Sequence, residues 1–114
     1  MGLPKSVRLT QAAEFARTRA EGRSYPARYL LLNTVSAPDI QGWKCGIITP
    51  RKLGTAVVRN RIRRRLRELV RAESSRIRPG QWVVIVARWR SAEATFAEIK
   101  RDWLGAARRA GLFQ

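Results

Sequence analysis

Histidine is absent from this 114-residue sequence, and its absence excludes whole classes of active site. Without an imidazole the chain cannot form a Ser-His or Cys-His nucleophile pair, a histidine metal ligand or a histidine general base. Acidic residues are also scarce: there are 8 Asp and Glu in all, and neither Glu93 with Glu98 nor Glu68 with Glu73, each five residues apart, shares one helical face. We therefore expect no catalytic side chain and no protein-bound metal.

Cysteine occurs once, at Cys45, so neither an internal disulfide nor a cluster of thiolate metal ligands can form. Cys45 is expected to be a small buried strand residue, because free cysteine is more often that than a reactive thiol. Long hydrophobic runs are missing too, since the apolar runs at 30–32 and 82–87 are far shorter than the roughly 20 residues of a membrane span. The first residues carry neither a secretory signal nor a myristoylation pattern. We expect a cytoplasmic protein.

Positive charge is what the sequence has in excess. Lys and Arg number 24, the formal net charge is +16, and 20 of the 24 cations are Arg. Arg grips phosphate with a planar fork and stacks on bases, so this bias favours a nucleic-acid partner over a surface that is merely basic. Hydrophobic residues make up 45% of the chain, enough for a core. The length and composition predict a single RNA-binding domain over residues 1–114.

Hydrophobic periodicity and turn residues predict six elements in the order helix, strand, strand, helix, strand, helix. Their predicted ranges are 10–21, 24–35, 43–49, 57–74, 81–88 and 95–110. Thr10 is the predicted N-cap of the first helix and Gly22 its stop, and a stripe of mostly small residues, Leu9 with alanines at 12, 13, 16 and 20, is expected to face a sheet. The first two strands are expected to form a hairpin. The pattern indicates an α+β fold, a small central β-sheet covered by helices.

The segment 51–67 concentrates the charge, holding eight cations and no acid. A solvated helix face would interleave Glu with the cations at i,i+4 spacing, so an anion-binding surface is the favoured interpretation. Gly54 indicates a tight loop that leads into the N-terminus of the second long helix. Asn60, between two arginines, could read a base edge or could bond its own backbone, and the sequence leaves both open.

The segment Arg51 to Glu68, RKLGTAVVRNRIRRRLRE, closely resembles the basic "RNR" signature of the bacterial ribonuclease P protein family. Weaker similarity covers nearly the whole chain: Arg8-Leu9 with Glu14-Phe15, the strand at 45–47 and the strand at 83–88. The resemblance implies a split βαβ sandwich with a left-handed crossover, similar to the second domain of ribosomal protein S5. Such a crossover runs against the common right-handed rule.

The resemblance also implies a function. The chain would be a protein subunit that binds ribonuclease P RNA and the 5′ leader of precursor tRNA, while Mg²⁺ held mainly by the RNA performs the endonucleolytic cut. The residues that would contact the RNA subunit are Arg59, Asn60, Arg61, Arg63, Arg64, Arg65 and Arg67. The residues that would line a cleft for the single-stranded leader are Phe15, Arg19, Tyr29, Arg51, Lys52 and Arg88.

Two positions depart from the family pattern. Arg19 stands where many members have a second aromatic residue, and its guanidinium could replace that stacking surface. Pro50 stands where the basic loop usually begins with a small polar residue.

Several assignments stay open at this stage. Tyr29 fits the core and the cleft equally well, while Trp43, Trp82, Trp89 and Trp103 are interpreted as core or near-core residues, Trp89 with the least support. The alternative function is that of a structural RNA-binding protein such as a ribosomal component, which charge and size alone would also satisfy. A DNA-binding helix module is disfavoured, because helix-turn-helix spacing is missing.

Overall fold

A computed structural model describes Arg8 and residues 12–114 as four strands and three α-helices. In chain order these are α1 (Ala12–Glu21), β1 (Arg23–Pro26), β2 (Leu30–Ser36), β3 (Trp43–Ile48), α2 (Ala56–Ala72), β4 (Gln81–Ala87) and α3 (Phe96–Arg109). The predicted α+β class and helix-covered sheet are confirmed. No helix in these described ranges is long and apolar enough to cross a bilayer.

The four strands form one mixed sheet in the order β1-β2-β4-β3. β2 runs antiparallel to both β1 and β4, whereas β3 pairs parallel with β4. The hairpin predicted between the strands at 24–35 and 43–49 is therefore wrong, because β4 lies between β2 and β3 in the sheet. β3, α2 and β4 instead form a βαβ unit that returns the chain to the adjacent parallel position.

The predicted single strand at 24–35 is in fact two strands, β1 and β2. Pro26 ends β1, and Ala27 N–H donates to the Leu30 carbonyl across the connecting turn at 2.8 Å. Pro26 lies in an edge strand, which is where a residue without an N–H is tolerated in a sheet. Only three residues separate β1 from β2, so the two strands were predicted as one.

The hydrophobic core lies between one face of the sheet and the helices α2 and α3. Alternation along the strands directs one set of side chains to this layer. The buried side chains of the layer include Leu30, Leu32, Cys45, Val83, Ile85 and Ala87 from the sheet, Ile62, Leu66, Leu69 and Val70 from α2, and Ile99, Trp103, Ala106 and Ala107 from α3. The hydrophobic periodicity that predicts both long helices corresponds to the buried face of each.

α1 packs on the opposite face of the sheet, with a different helix face from the one predicted. Ala16 and Ala20 are exposed, whereas Thr18 is 1% exposed. Thr18 can be buried because its hydroxyl donates to the Glu14 carbonyl one turn back, at 2.9 Å. The predicted N-cap at Thr10 lies outside the described residues. Gly22 follows the helix as predicted, and its N–H bonds the Thr18 carbonyl at 2.9 Å.

Both ends of α3 are capped. Thr95 accepts a hydrogen bond from Glu98 N–H while the Glu98 side chain accepts one from Thr95 N–H, which completes a capping box. Gly111, just beyond the last turn, has φ of 65°, a backbone conformation that favours glycine. These two caps fix where α3 begins and ends.

Candidate nucleic-acid interface

An open cleft of about 480 Å³ lies between α1 and the sheet face that carries no other helix. Phe15 and Arg19, one helical turn apart, form its α1 wall. The sheet contributes Ser24, Leu31, Asn33, Ile48, Val84 and Val86. The structure thus brings together two of the predicted cleft residues, a half-buried aromatic ring and an exposed guanidinium. Such a pairing offers a stacking surface beside a positive charge.

The floor of this cleft includes polar groups that sequence reasoning missed. Asn33 is only 8% exposed, and its Oδ1 accepts a hydrogen bond from Ser24 Oγ at 2.6 Å. The detectable signal was alternation: residues 31 and 33 on β2, and 84 and 86 on β4, share the face opposite the core. The floor therefore combines an apolar surface with an amide and a hydroxyl.

Tyr29 is not a wall of this cleft. It is 8% exposed and belongs to the core between the sheet and α3. Its hydroxyl donates to Glu98 Oε2 at 3.0 Å, and its backbone N–H donates to Asp102 Oδ2 at 2.7 Å. The hydrogen bond to Glu98 and burial raise the pKa of the phenol above its ordinary value. The prediction that Tyr29 lines the leader cleft is corrected, because two carboxylates of α3, on the other side of the sheet, accept hydrogen bonds from its hydroxyl and from its backbone N–H.

Arg51, Lys52 and Arg88 cluster at one end of the sheet. β3 and β4 are parallel, with Ile48 opposite Val86, so the residues that follow the two strands emerge at the same edge. All three side chains are exposed. Arg88 Nη1 donates to the Ala27 carbonyl at 2.8 Å, which holds its guanidinium across the start of β2. These cations lie beyond the cleft walls, at the end of the strands that floor it.

The basic segment enters α2 through a glycine and a helix cap. Gly54 has φ of 134°, a value that side-chain-bearing residues rarely adopt, and its N–H bonds the Arg51 carbonyl. Thr55 then caps the helix by accepting a hydrogen bond from Val58 N–H at 3.4 Å. Sequence reasoning predicted this tight loop into a helix N-terminus, and the structure confirms it.

The predicted RNA-contacting residues of α2 divide into free and anchored side chains. Arg64 is exposed, without a hydrogen-bond partner in the described part of the chain. Asn60 is exposed too, and its Oδ1 accepts from Arg63 Nη1 at 2.7 Å. The other terminal guanidinium nitrogen of Arg63, Nη2, donates a hydrogen bond to the Thr49 hydroxyl. The Asn60 oxygen therefore orients an arginine, a third role that neither alternative from the sequence had included.

Arg61 and Arg65 anchor a neighbouring turn to α2. Arg61 Nη2 donates to the Ala92 carbonyl at 3.1 Å, and Arg65 Nη1 donates to the Ala94 carbonyl at 3.3 Å. Arg59 is half-buried, and its Nε has no hydrogen-bond partner among the described residues. Arg61 and Arg65 keep other N–H groups available for phosphate while they hold this turn to α2.

Arg67 lies among like charges. Burial lowers the pKa of this guanidinium below its ordinary value, and the nearby charges of Arg63 and Arg8 lower it further. Cations this close are stabilised by an anion, and phosphate is the anion that guanidinium geometry matches best. The α2 surface is thus arranged to bind a polyanion.

Nucleophilic and metal chemistry find no support in the described residues. Burial raises the pKa of the Cys45 thiol to about 12, so it remains protonated and inert, as expected. Glu98 and Asp102 are hydrogen-bonded to Tyr29. Residues 8 and 12–114 contain no group of three or more His, Cys, Asp or Glu that could hold a metal ion. The arrangement can bind and position a nucleic acid.

Comparison with known proteins agrees with this geometry. The family model described as Ribonuclease P matches residues 3–111. The ribonuclease P protein component of Roseiflexus sp. (strain RS-1) is 40% identical over an alignment of 114 positions, which covers 98% of this chain and 92% of that protein. The corresponding protein of Symbiobacterium thermophilum is 36% identical over 112 residues, covering 98% of this chain and 97% of that protein.

Solved structures show the same similarity. The RNase P protein of Staphylococcus aureus superimposes with a TM-score of 0.90 at 28% identity, covering 96% of this chain and 100% of that one. The RNase P protein of Thermotoga maritima gives a TM-score of 0.80 at 25% identity, covering 90% of this chain and 96% of that one. A ribosomal component, the alternative function, is not favoured by these matches. The chain belongs to the ribonuclease P protein family, and a role in tRNA 5′-leader processing together with an RNA subunit follows from that membership.

Proposed function

We propose that this chain binds ribonuclease P RNA through α2 and receives the 5′ leader of precursor tRNA in the cleft beside α1. The observation that carries the proposal is the cleft itself, in which Phe15 and Arg19 face an apolar strand surface. A leader is single-stranded, so its bases can stack on an aromatic ring while its phosphates meet cations. Arg51, Lys52 and Arg88 extend the positive charge past one end of the cleft.

The proposed contacts to the RNA subunit are Arg59, Asn60, Arg61, Arg63, Arg64, Arg65 and Arg67. Their support is the absence of any acid from residues 51–67 and the crowding of Arg67 with Arg63 and Arg8. An RNA backbone supplies phosphates in series, and each phosphate neutralised releases counterions, which strengthens binding at low salt.

We propose further that the protein contributes binding and positioning, while the endonucleolytic chemistry belongs to the RNA with Mg²⁺. The donor set of the described residues does not fit a protein Mg²⁺ site, which would need clustered carboxylates and carbonyls. The Asp102 and Glu98 carboxylates are engaged by Tyr29, and cations dominate the rest of the surface. The proposed location is the cytoplasm, where a lone cysteine stays reduced.

The test is cleavage of precursor tRNA by a bacterial ribonuclease P RNA at low Mg²⁺, with and without this protein. We expect the protein to increase the cleavage rate and to tighten binding of precursor tRNA more than of mature tRNA. Cleavage that is equally slow with and without the protein would contradict the proposal. A preference for ribosomal RNA over ribonuclease P RNA would restore the ribosomal alternative.

A further inference from the structure

Trp89 is the one tryptophan of this chain that the structure leaves mostly in solvent. It is 59% exposed, whereas Trp43 is 8% and Trp103 1% exposed, and Trp82 is half-buried. The sequence-based assignment of Trp89 to the core region is therefore wrong. Its place in the chain explains the exposure, because it opens the 3₁₀ turn Trp89–Glu93 directly after β4 leaves the sheet. A large flat ring held at a strand end and open to water is free to stack on a nucleic-acid base.

Three arginines surround this indole. The Arg90 guanidinium lies 5.1 Å from the ring centroid, and Arg28 and Arg88 line the same recess of about 290 Å³. Arg88 is held in place by its bond to the Ala27 carbonyl at 2.8 Å. The recess therefore combines an aromatic plane with three positive charges.

Acids nearby do not cancel this charge. Glu93 and Glu98 line an adjoining recess. The Glu98 carboxylate accepts hydrogen bonds from the Tyr29 hydroxyl at 3.0 Å and from Thr95 N–H at 2.9 Å, which occupies it within the fold. Glu93 and Glu98 together carry two negative charges against the three arginines, so the surface around Trp89 keeps a net positive charge.

The position of the turn joins the two RNA surfaces proposed above. Its C-terminal end is bonded to α2, since Arg61 donates to the Ala92 carbonyl and Arg65 to the Ala94 carbonyl. The same turn packs against the 3₁₀ turn Arg51–Leu53, whose cations lie at the end of the cleft. Trp89 is thus located between the cleft end and the basic helix.

We propose that Trp89, with Arg28, Arg88 and Arg90, forms a stacking site for one unpaired nucleotide of bound RNA. The indole offers its plane to the base, and the guanidiniums offer charge-assisted hydrogen bonds to the flanking phosphates. This inference rests on the proposed function, because it takes RNA to be the partner on both sides of the turn. The nucleotide could belong to the leader or to the RNA subunit, and the experiment separates these sources.

The test compares Trp89→Ala, Trp89→Phe and unsubstituted protein in three measurements. These are the affinity of the protein for ribonuclease P RNA, and the affinities of the assembled holoenzyme for precursor and for mature tRNA. Stacking of one base on an aromatic ring is worth about 1–3 kcal/mol, so Trp89→Ala should weaken one interaction about 5-fold to 150-fold. Trp89→Phe keeps a ring and should stay within about threefold of the unsubstituted protein. A loss with ribonuclease P RNA places the nucleotide in that RNA, and a loss confined to precursor tRNA places it in the leader.

Phe96→Ala is the matched control, since Phe96 is also exposed, at 38%, and lies at the start of α3 outside this recess. It should leave all three affinities within about threefold. Arg90→Gln provides a second variant that keeps Trp89 and should weaken the same interaction as Trp89→Ala, by a smaller factor. Thermal unfolding of each variant checks that the fold is retained.

The inference would be overturned if Trp89→Ala left all three affinities unchanged. It would also be overturned if Trp89→Ala and Trp89→Phe lost equal amounts of affinity. The proposed function stands or falls separately, on whether unsubstituted protein stimulates precursor cleavage at low Mg²⁺. Stimulation by that protein, with no effect of Trp89→Ala, would remove the Trp89 site alone.

Discussion

The Tyr29 hydroxyl donates a hydrogen bond to Glu98 Oε2 at 3.0 Å, which ties the turn before β2 to the first turn of α3. The other Glu98 oxygen accepts from Thr95 N–H, so one carboxylate closes the helix cap and fixes the tyrosine. The hydrogen bond from Thr95 N–H, followed by that from Tyr29, holds the pKa of Glu98 below its ordinary value of 4.5. A carboxyl whose pKa is lowered by folding stabilises the native state in its charged form.

Glu98 should therefore make stability depend on pH in the acid range. Its contribution is complete above the unfolded pKa of 4.5 and is lost as pH falls through the lower folded pKa. We expect the thermal midpoint of Glu98→Gln, measured from pH 6 down to pH 3, to fall less steeply than that of the unsubstituted protein. Glu93→Gln, which removes an exposed acid in the preceding turn, is the control. Parallel curves for Glu98→Gln and the unsubstituted protein would refute the assignment.

Phe15→Ala should reduce discrimination between precursor and mature tRNA. The ring lies on the α1 wall of the cleft, and loss of one stacked base at about 1–3 kcal/mol weakens precursor binding at least about fivefold. Mature tRNA lacks the leader, so its affinity should not change. The measurement is equilibrium binding of both RNAs to the holoenzyme, and equal losses for the two would contradict the cleft assignment.

Arg64→Ala and Arg65→Ala should separate RNA binding from stability. Arg64 is exposed and has no partner among the described residues, so its loss should lower the salt dependence of binding to ribonuclease P RNA by about one unit. The unfolding free energy of Arg64→Ala should stay within about 0.5 kcal/mol of that of the unsubstituted protein.

Arg65 also bonds the Ala94 carbonyl at 3.3 Å, so Arg65→Ala should reduce RNA binding and cost about 1 kcal/mol of stability as well. Denaturant unfolding and salt titration of both variants provide the check. Equal stability of the two variants would show that the contact with Ala94 contributes nothing measurable.

Gly22→Ala should distort the cleft, although Gly22 does not line it. A Cβ at Gly22 would overlap the backbone carbonyl oxygens of Thr18 and Thr34, the latter at 2.6 Å, so α1 must shift away from β2. We expect a loss of about 1–3 kcal/mol in unfolding free energy together with weaker precursor binding. Gly105→Ala is the matched control, because a Cβ there meets nothing within 4 Å, and in mid-helix it should stabilise by up to about 1 kcal/mol. Unchanged precursor affinity in Gly22→Ala would show that the cleft tolerates displacement of α1.

Sequence patterns predicted the long elements well, because their determinants are local. The apolar residues at i,i+4 spacing along α2 from Val58 to Val70, the Thr95 capping box and Gly111 are each recognised from neighbours a few residues away. The positions of α2 and α3 were therefore predicted correctly. The order of the strands was not predictable in this way, since it depends on β4 pairing with partners 38 to 57 residues earlier. The break between β1 and β2 at residues 27–29 was not predicted either, because an edge strand needs only a few residues to join the sheet.

For the candidate site, too, features set by local sequence could be predicted and features set by distant residues could not. The concentration of cations in 51–67 is a property of the sequence, and Phe15 and Arg19 were correctly paired in one cleft. Tyr29 was misassigned because its partners, Glu98 and Asp102, lie some 70 residues away on α3. Trp89 was misassigned because its hydrophobicity favoured burial, whereas the end of β4 carries it out of the sheet.

The central position of β4 has a consequence for synthesis of the chain. β4 is the last strand to leave the ribosome, yet it lies between β2 and β3 and supplies Val84 and Val86 to the cleft floor. A nascent chain that stops before residue 81 carries the whole basic helix but leaves β2 and β3 with unpaired edges, which are prone to aggregation. The cleft therefore cannot form until about three-quarters of the chain has been translated, and a prematurely terminated product retains the charge without the cleft.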